Sequence, residues 1–323
     1  MGNKTDRKNN ILVSIIIPTY NRANLLRGTL ISVSNQKLAS WECLIVDDGS
    51  EDDTVSVINE FANADNRFIY FSRPSSFKKG ASSCRNYGFL KSQGKYIQWL
   101  DDDDLLSENK LASQVQTLKS KESAITTCDW DILWPGKKFF RRNLLNGKDS
   151  LTPKEYFLEL RKQQTFVPSH TFLVHRYLIE KAGLWHPNLT LNDDAEFFTR
   201  VVLQAKMVIS SPDCYVLYRE HDGERLSKQK NSERLYSLIE SLRLINSHLR
   251  SQGVEVKSFF KWKLLQILIN NWKKEKKVLI ENSAFFTEHG IILKFANLYL
   301  IKYKLYKIIY PPYKKYIKRK GFD

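Results

Sequence analysis

The run ILVSIII at positions 11–17 is apolar, rich in β-branched residues, and stops at Pro18. Continuous apolarity, in place of strict alternation, suits a strand covered on both faces, as in a parallel sheet flanked by helices. The pattern recurs. WECLIV (41–46), RFIYFS (67–72) and YIQWL (96–100) read as further strands. Between them, apolar residues fall at helical spacing: Leu25, Leu26, Leu30 and Val33, then Val55, Ile58 and Phe61 over about 53–62, then a helix over 80–94. Ser107 is expected to open another helix, carrying Leu111, Val115 and Leu118. Strand alternating with helix predicts a doubly wound α/β sheet. Such sheets bind ligands beyond the carboxyl ends of their strands. Those ends carry polar clusters: PTYNR after the first strand, DDGS after the second and DDDD after the fourth.

The alternation loosens after Cys128. WPGKKFFRRN (134–143) reads as a basic, aromatic loop, and PSHTFLVHRYLIEKAGLW (168–185) as a strand followed by a helix. Beyond residue 225 the sequence is mostly helical and rich in Lys, Tyr and Trp. A boundary there divides the chain into residues 1–225, the α/β part, and 226–323, a helical extension. The formal net charge of +16 is uneven, because residues 251–323 hold 16 basic and 5 acidic side chains. The extension is therefore strongly basic and the body nearly balanced. Cys43, Cys84, Cys128 and Cys214 form no Cys-x-x-Cys pair, which favours reduced thiols in a cytosolic protein over disulfides or zinc. The sequence shows no apolar signal region and no run of about 20 apolar residues, so neither secretion nor membrane spanning is expected.

Four adjacent carboxylates, Asp101 to Asp104, repel one another. A solvated turn that caps the next helix is one reading, since acids favour helix N-termini. The other is a hard divalent cation, Mg²⁺ or Mn²⁺, held with the oxygens of a bound diphosphate. In an extended segment Asp101 and Asp103 would share a side.

VSIIIPTYNR, LIVDDGSEDDT, RNYG…GKYI and WLDDDD occur in this order, and together they resemble the family 2 glycosyltransferases, inverting enzymes of the GT-A fold. The resemblance is strong over about residues 12–118, thinner through about 227 and absent beyond. It implies a mixed, Rossmann-like sheet and a nucleotide-sugar donor of the UDP type. By the same resemblance Pro18, Thr19, Tyr20, Asn21 and Arg22 match the first nucleotide-binding loop. Asp48 matches the acid that accepts from the imide N–H of a uracil-type base, a charge-assisted bond, with Asp47 as the less favoured reader. Arg85 matches a basic residue near the diphosphate. Asp101 and Asp103 match the Asp-x-Asp pair, with Asp103 the direct metal ligand, Asp101 toward ribose or ion, and Asp102 placed for ribose.

An inverting transfer needs a base facing the sugar opposite the leaving group. The resemblance places it in NDDAEFFTR (192–200), with Asp194 the choice, Asp193 its close competitor and Glu196 weaker. Plain helix capping is the alternative there. YREHDG (218–223) resembles a Tyr-Arg-x-His stretch of the family; it offers His221 as a further metal ligand and Arg219 to the diphosphate. His170, His175 and His186 fall where acceptor contacts are expected, and Trp185 reads as core packing or a sugar platform. Residues 291–310, taken as a helix, align Tyr299, Tyr303, Tyr306 and Tyr310 beside Leu298, Ile301, Leu305, Ile308 and Ile309. That suits either a packed helix or docking on an anionic membrane.

The expectation is a glycosyltransferase at the inner face of the cytoplasmic membrane, with a glycan or lipid-linked acceptor, in assembly of bacterial surface polysaccharide such as O-antigen or capsule. A nucleic-acid-binding or nucleotidyl-transferring protein and a non-catalytic sugar-binding relative are the alternatives. No nucleic-acid motif accompanies the basic tail, so nucleic acid is not expected as a partner.

Overall fold

The computed structural model describes residues 11–133, 142–145, 147–163, 165–219, 231–254 and 257–301. Strands β1 (Val13–Thr19), β2 (Trp41–Asp47), β3 (Phe68–Ser72) and β4 (Tyr96–Trp99) are parallel, in the order β3-β2-β1-β4. The helices α1 (Ala23–Ser34), α2 (Thr54–Ala64) and α3 (Ala81–Lys91) connect them. Every residue of β1 and β2 is buried, as continuous apolarity predicted. Val13, Ile15 and Ile17 pack on one face with Leu26, Leu30 and Val33 of α1, and Ile16 points to the other.

Beyond β4 the sheet becomes mixed. β8 (Leu173–His175) runs antiparallel to β4, and β6 (Ala124–Leu133) lies between β8 and β9 (Met207–Arg219). The short β5 (Leu105–Leu106) and β7 (Ser150–Leu151) pair antiparallel with β9. Helices α4 (Lys110–Leu118), α5 (Pro153–Gln163), α6 (Arg176–Ala182) and α7 (Asp193–Gln204) cover this half. The helix expected from Ser107 starts instead at Lys110. Leu105 and Leu106 are drawn into pairing with Leu217 and Val216, and the Ser107 amide donates to the Tyr215 carbonyl, 3.0 Å.

Two glycines set how closely the layers approach. A Cβ at Gly88 would lie 2.6 Å from Ile16 Cγ2, so α3 lies flat on β1 because that position is bare. A Cβ at Gly94 would lie 2.4 Å from the Ser14 amide nitrogen.

The region after 225 is helical among the described residues: α8 (Ser232–Ser251), α9 (Lys257–Asn271), α10 (Lys276–Glu281) and α11 (Ser283–Glu288). One apolar cluster runs from Trp99, Trp185 and Phe197 into Leu235, Ile239, Leu242, Phe260, Leu264 and Phe286, so these helices share a core with the sheet. The expected helix over 291–310 begins later than its first residue. Leu293–Phe295 form a 3₁₀ turn, with Ile292 extended before it. Tyr303, Tyr306 and Tyr310 lie outside the described residues, as do His221 and residues 134–141. All four cysteines are buried and unpaired. No helix among the described residues is long and apolar enough to cross a membrane.

Candidate active site

Thr19 pairs with Asp47 in the register of β1 and β2, and Ile16 with Trp99 in that of β1 and β4. The PTYNR, DDGS and DDDD clusters therefore emerge side by side at the carboxyl edge. Pro18 lies inside β1 opposite Val46. Thr19 is buried, and Tyr20 is 41% exposed with the Lys79 ammonium 4.2 Å from its ring centre. Asn21, at φ 51°, ties the first loop to the second. Its amide donates to Ser50 Oγ (2.9 Å), and its side-chain oxygen accepts from the Glu51 amide (2.8 Å). The Arg22 amide donates to Thr54 Oγ1 at 2.9 Å.

Asp47 turns back on its own loop and accepts the Ser50 amide at 3.1 Å. Asp48 is buried; one carboxylate oxygen is paired with Arg73, and the other accepts the Gly80 amide at 2.9 Å. Asp48 therefore links β2 to the start of α3, where Arg85 stands.

Asp101 to Asp104 do not continue the strand. They form a turn, closed by the Asp104 amide donating to the Asp101 carbonyl at 3.3 Å, so the extended geometry that would place Asp101 and Asp103 on one side does not occur. Asp104 forces the turn. Its Oδ1 accepts the Arg219 amide at 2.9 Å and its Oδ2 lies 3.1 Å from His170 Nδ1, both side chains 1% exposed. Burial disfavours both charges: it pushes the Asp104 carboxyl well up, with Asp103 and Asp101 adding to it, and takes His170 down to about 3. The Arg219 amide thereby ties the turn to β9, and His170 ties it to the segment before β8. His170 is scaffold.

Asp102 is pushed up to about 7, chiefly by burial and then by Asp103, with the Thr19 hydroxyl and Arg22 pulling the other way. For Asp101 burial acts upward, but Arg85 outweighs it and holds the carboxyl below its usual range. Arg85 is the hub. Its Nη2 donates to Asp101 Oδ1 (2.7 Å), its Nη1 to Asp193 Oδ2 (3.0 Å), and its guanidinium lies 4.3 Å from the Trp185 ring centre. Burial lowers its proton affinity, yet Asp101 and Asp193 reverse that and hold the charge.

The acidic pair opens α7. Asp193 is taken up by Arg85 and by Ser82, whose hydroxyl donates at 2.9 Å. Asp194 turns away from that network and lines a pocket between α5, α7, α8 and α9. Burial and then Asp193 push its carboxyl up to about 6, against its own bond from the Ala195 amide (2.8 Å) and the charge of Arg85. Glu196 is locked by Arg200, 2.7 Å, and lies 3.2 Å from His248. Trp185 is core: it is 1% exposed and stacks on Phe197 with 4.2 Å between centroids. His175 caps α6 by accepting the Tyr177 amide, and His186 accepts the Asn188 amide, both at 3.3 Å.

Several positioning groups carried no sequence signal. Arg73 holds Asp48, and Ser82 selects Asp193. Helix α8 grips the loop before α7: Ser237 Oγ accepts the Thr190 amide (2.8 Å), and Asn192, at φ 61°, donates from its side chain to Ser241 Oγ (2.6 Å).

The donor set at the turn is all oxygen, which suits Mg²⁺ or Mn²⁺. Burial, and after it the neighbouring Asp103, disfavours the Asp102 carboxylate, and a cation at the turn would offset both. Asp103 and Asp101 are the residues that would hold it. Among the described residues no three His, Cys, Asp or Glu converge as a complete cage, so substrate and water oxygens would supply the rest of the shell.

A mixed sheet with acids at the carboxyl edge of its parallel half is the architecture of GT-A nucleotide-sugar-dependent transferases. Residues 14–183, just over half of the chain, match the family described as glycosyl transferase family 2, and the chain belongs to that family. Among curated relatives, the GalNAc(5)-diNAcBac-PP-undecaprenol beta-1,3-glucosyltransferase of Campylobacter jejuni is 26% identical over 248 residues, covering 74% of this chain and 75% of that protein. The crystal structure of S. aureus TarS 1–349 in complex with UDP-GlcNAc superposes with a TM-score of 0.67 at 16% identity, over 90% of this chain and 89% of that one. The mannosyltransferase PcManGT from Pyrobaculum calidifontis, in complex with GDP-Man and Mn²⁺, gives 0.54 at 18% identity, over 97% and 85%. These structural likenesses establish the GT-A fold. The chain spans 15%, 70% and 45% of the length of uncharacterised glycosyltransferases from Rickettsia bellii, Rickettsia typhi and Haemophilus influenzae.

Proposed function

We propose that this chain moves a sugar from a nucleoside diphosphate donor, of the UDP type, to a hydroxyl of a lipid-linked glycan, with inversion at the anomeric carbon. The observation that carries the reading is the Arg85 bridge. It joins the Asp101–Asp104 turn, where a diphosphate would be received, to the Asp193–Asp194 pair. Asp48 sits beside the first loop, where a base N–H would meet its carboxylate. Asp193 is committed to Arg85 and Ser82, which leaves Asp194 to face the acceptor. In the transfer the acceptor oxygen gives its proton to Asp194 and forms the new bond to the anomeric carbon. The bond from that carbon to the diphosphate oxygen breaks, and the nucleoside diphosphate leaves with the electron pair. A carboxyl raised to about 6 is ionised at pH 7 and still basic enough to take that proton. A bound Mg²⁺ or Mn²⁺ would supply charge neutralisation for the departing diphosphate.

The activity of the Campylobacter jejuni relative and the ligands of the two solved structures support this substrate class. Assembly of bacterial surface polysaccharide at the inner face of the cytoplasmic membrane follows from the same reading. The half-exposed Ile292, Phe295, Leu298 and Ile301, beside lysines of the basic region, suit contact with an anionic bilayer. Co-sedimentation with anionic vesicles, absent with neutral ones, tests that contact; equal partitioning into both removes it. The test of the transferase reading is release of nucleoside diphosphate from a donor panel, with EDTA or Mn²⁺ present. EDTA and Asp103→Ala are each expected to stop release. Full release in EDTA would remove the metal, and no donor consumed by folded wild-type protein together with an acceptor panel would remove the activity.

A further inference from the structure

The pocket that holds Asp194 is built from two parts of the chain. Helices α5 and α7 supply Phe157 and Phe198, while α8 of the C-terminal region supplies Leu242 and Leu249. Its lining is mostly apolar, yet three charged side chains open into it: Asp194, Arg161 and Lys263. Arg161 is solvent-exposed at the end of α5, and Lys263 stands half-buried on α9. Burial lowers the proton affinity of Lys263, and the charge of Asp194 opposes that fall. A desolvated ammonium on an apolar wall is costly unless an anion meets it. Asp194 makes no ion pair with it within 4.0 Å.

We propose that this pocket receives the lipid-phosphate end of the acceptor: an isoprenoid phosphate whose sugar presents its hydroxyl to Asp194. The inference rests on the assignment of Asp194 as the base. Sugar hydroxyls laid against phenylalanine and leucine would lose their hydrogen bonds to water and gain none, whereas an isoprenoid chain matches those walls. Lys263 and Arg161 meet the phosphate, as charged donors do best. The arrangement gives the C-terminal helices a part in substrate selection. Helix α8 walls the pocket and, through Ser237 and Ser241, fixes the loop that sets the base at its edge.

The test uses the full chain and farnesyl phosphate as probe, with inorganic phosphate and the neutral detergent decyl maltoside as separate arms, by titration calorimetry. Farnesyl phosphate is expected to bind saturably and at least about tenfold more tightly than either arm, since both the chain and the charge are recognised. Lys263→Ala should weaken it about tenfold, the loss of one charge-assisted contact, and Lys263→Arg should restore most of it. UDP binding should be unchanged in both variants, and neither should lower the thermal midpoint. Equal farnesyl phosphate affinity in wild type and Lys263→Ala overturns the proposal, as does decyl maltoside binding equally well. If UDP and donor sugar are bound and turned over while farnesyl phosphate is not bound, the pocket assignment fails alone. Should no donor be bound or consumed while farnesyl phosphate binds through Lys263, the transferase reading fails and the lipid-phosphate site stands.

Discussion

Asp194→Asn should make the protein more stable at neutral pH while it stops transfer. The Asp194 carboxyl is raised from an ordinary 3.8 to about 6 by burial and by Asp193, so the folded chain disfavours its ionised form. A group raised on folding binds more protons in the native state, and stability falls as pH rises between the two values. The shift of about 2 units corresponds to at most about 3 kcal/mol of penalty, complete above pH 6. Partial exposure and the lost attraction to Arg85 and Lys263 reduce this, so a gain of about 1–2 kcal/mol is expected for Asn at pH 7.5. The side-chain oxygen of Asn can still accept the Ala195 amide, so that bond is kept. Urea unfolding of both proteins at pH 7.5, 5 and 4 measures the effect. About half of the difference should be gone by pH 5 and about four-fifths by pH 4. In the wild type, kcat/KM should fall tenfold per pH unit below about 6, as the base takes up its proton. An Asn variant that is less stable than wild type at pH 7.5, with a difference that does not change with pH, would refute the burial of this charge. Near-normal turnover in the variant would refute its role as base.

Two other substitutions probe the frame around the site. Arg85→Ala leaves Asp101 and Asp193 without their shared partner; a fully buried pair broken this way costs about 3–5 kcal/mol, and water reaching the two carboxylates, 35% and 20% exposed, lowers that; the thermal midpoint should drop and transfer cease, and an unchanged midpoint would show that the bridge does not hold the site together. Gly94→Ala places a methyl group 2.4 Å from the Ser14 nitrogen, backbone that cannot yield cheaply, so β1 and β4 must separate; soluble, fully active protein would show that this approach is looser than drawn.

The first four strands were legible because β1 and β2 are buried on both faces, which leaves an unbroken apolar run that local pattern alone reveals. The carboxyl edge was legible for the same reason: strand ends fix where PTYNR, DDGS and DDDD emerge. What failed was set by partners distant in sequence. Leu105 and Leu106 look like the approach to a helix, but β9, more than a hundred residues on, takes them as a strand and delays α4 to Lys110. The four acids look like the end of an extended segment, yet His170 and the Arg219 amide draw Asp104 inward and fold them into a turn. Asp193 and Asp194 are indistinguishable as a sequence pair, and only Ser82 and Arg85 tell them apart. Lys263 sits in a helix whose lysines all look alike until the pocket singles one out.

The distribution of charge explains why the carboxylates are kept apart by a single arginine. Asp101 and Asp193 sit on separate elements, and one guanidinium satisfies both, so the turn and the start of α7 cannot move independently without leaving a buried charge unpaired. Asp102 and Asp194 lie next to those partners in sequence but outside the bridge, and both are raised, to about 7 and about 6. In the proposed reaction a cation and diphosphate would meet the first carboxyl, and an acceptor proton the second. The turn and the start of α7 are linked through Arg85, while Ser82 holds Asp193 and the α8 hydroxyls of Ser237 and Ser241 hold the loop before α7. The extension that bears most of the net positive charge therefore also braces the loop from which α7 and the proposed base Asp194 start.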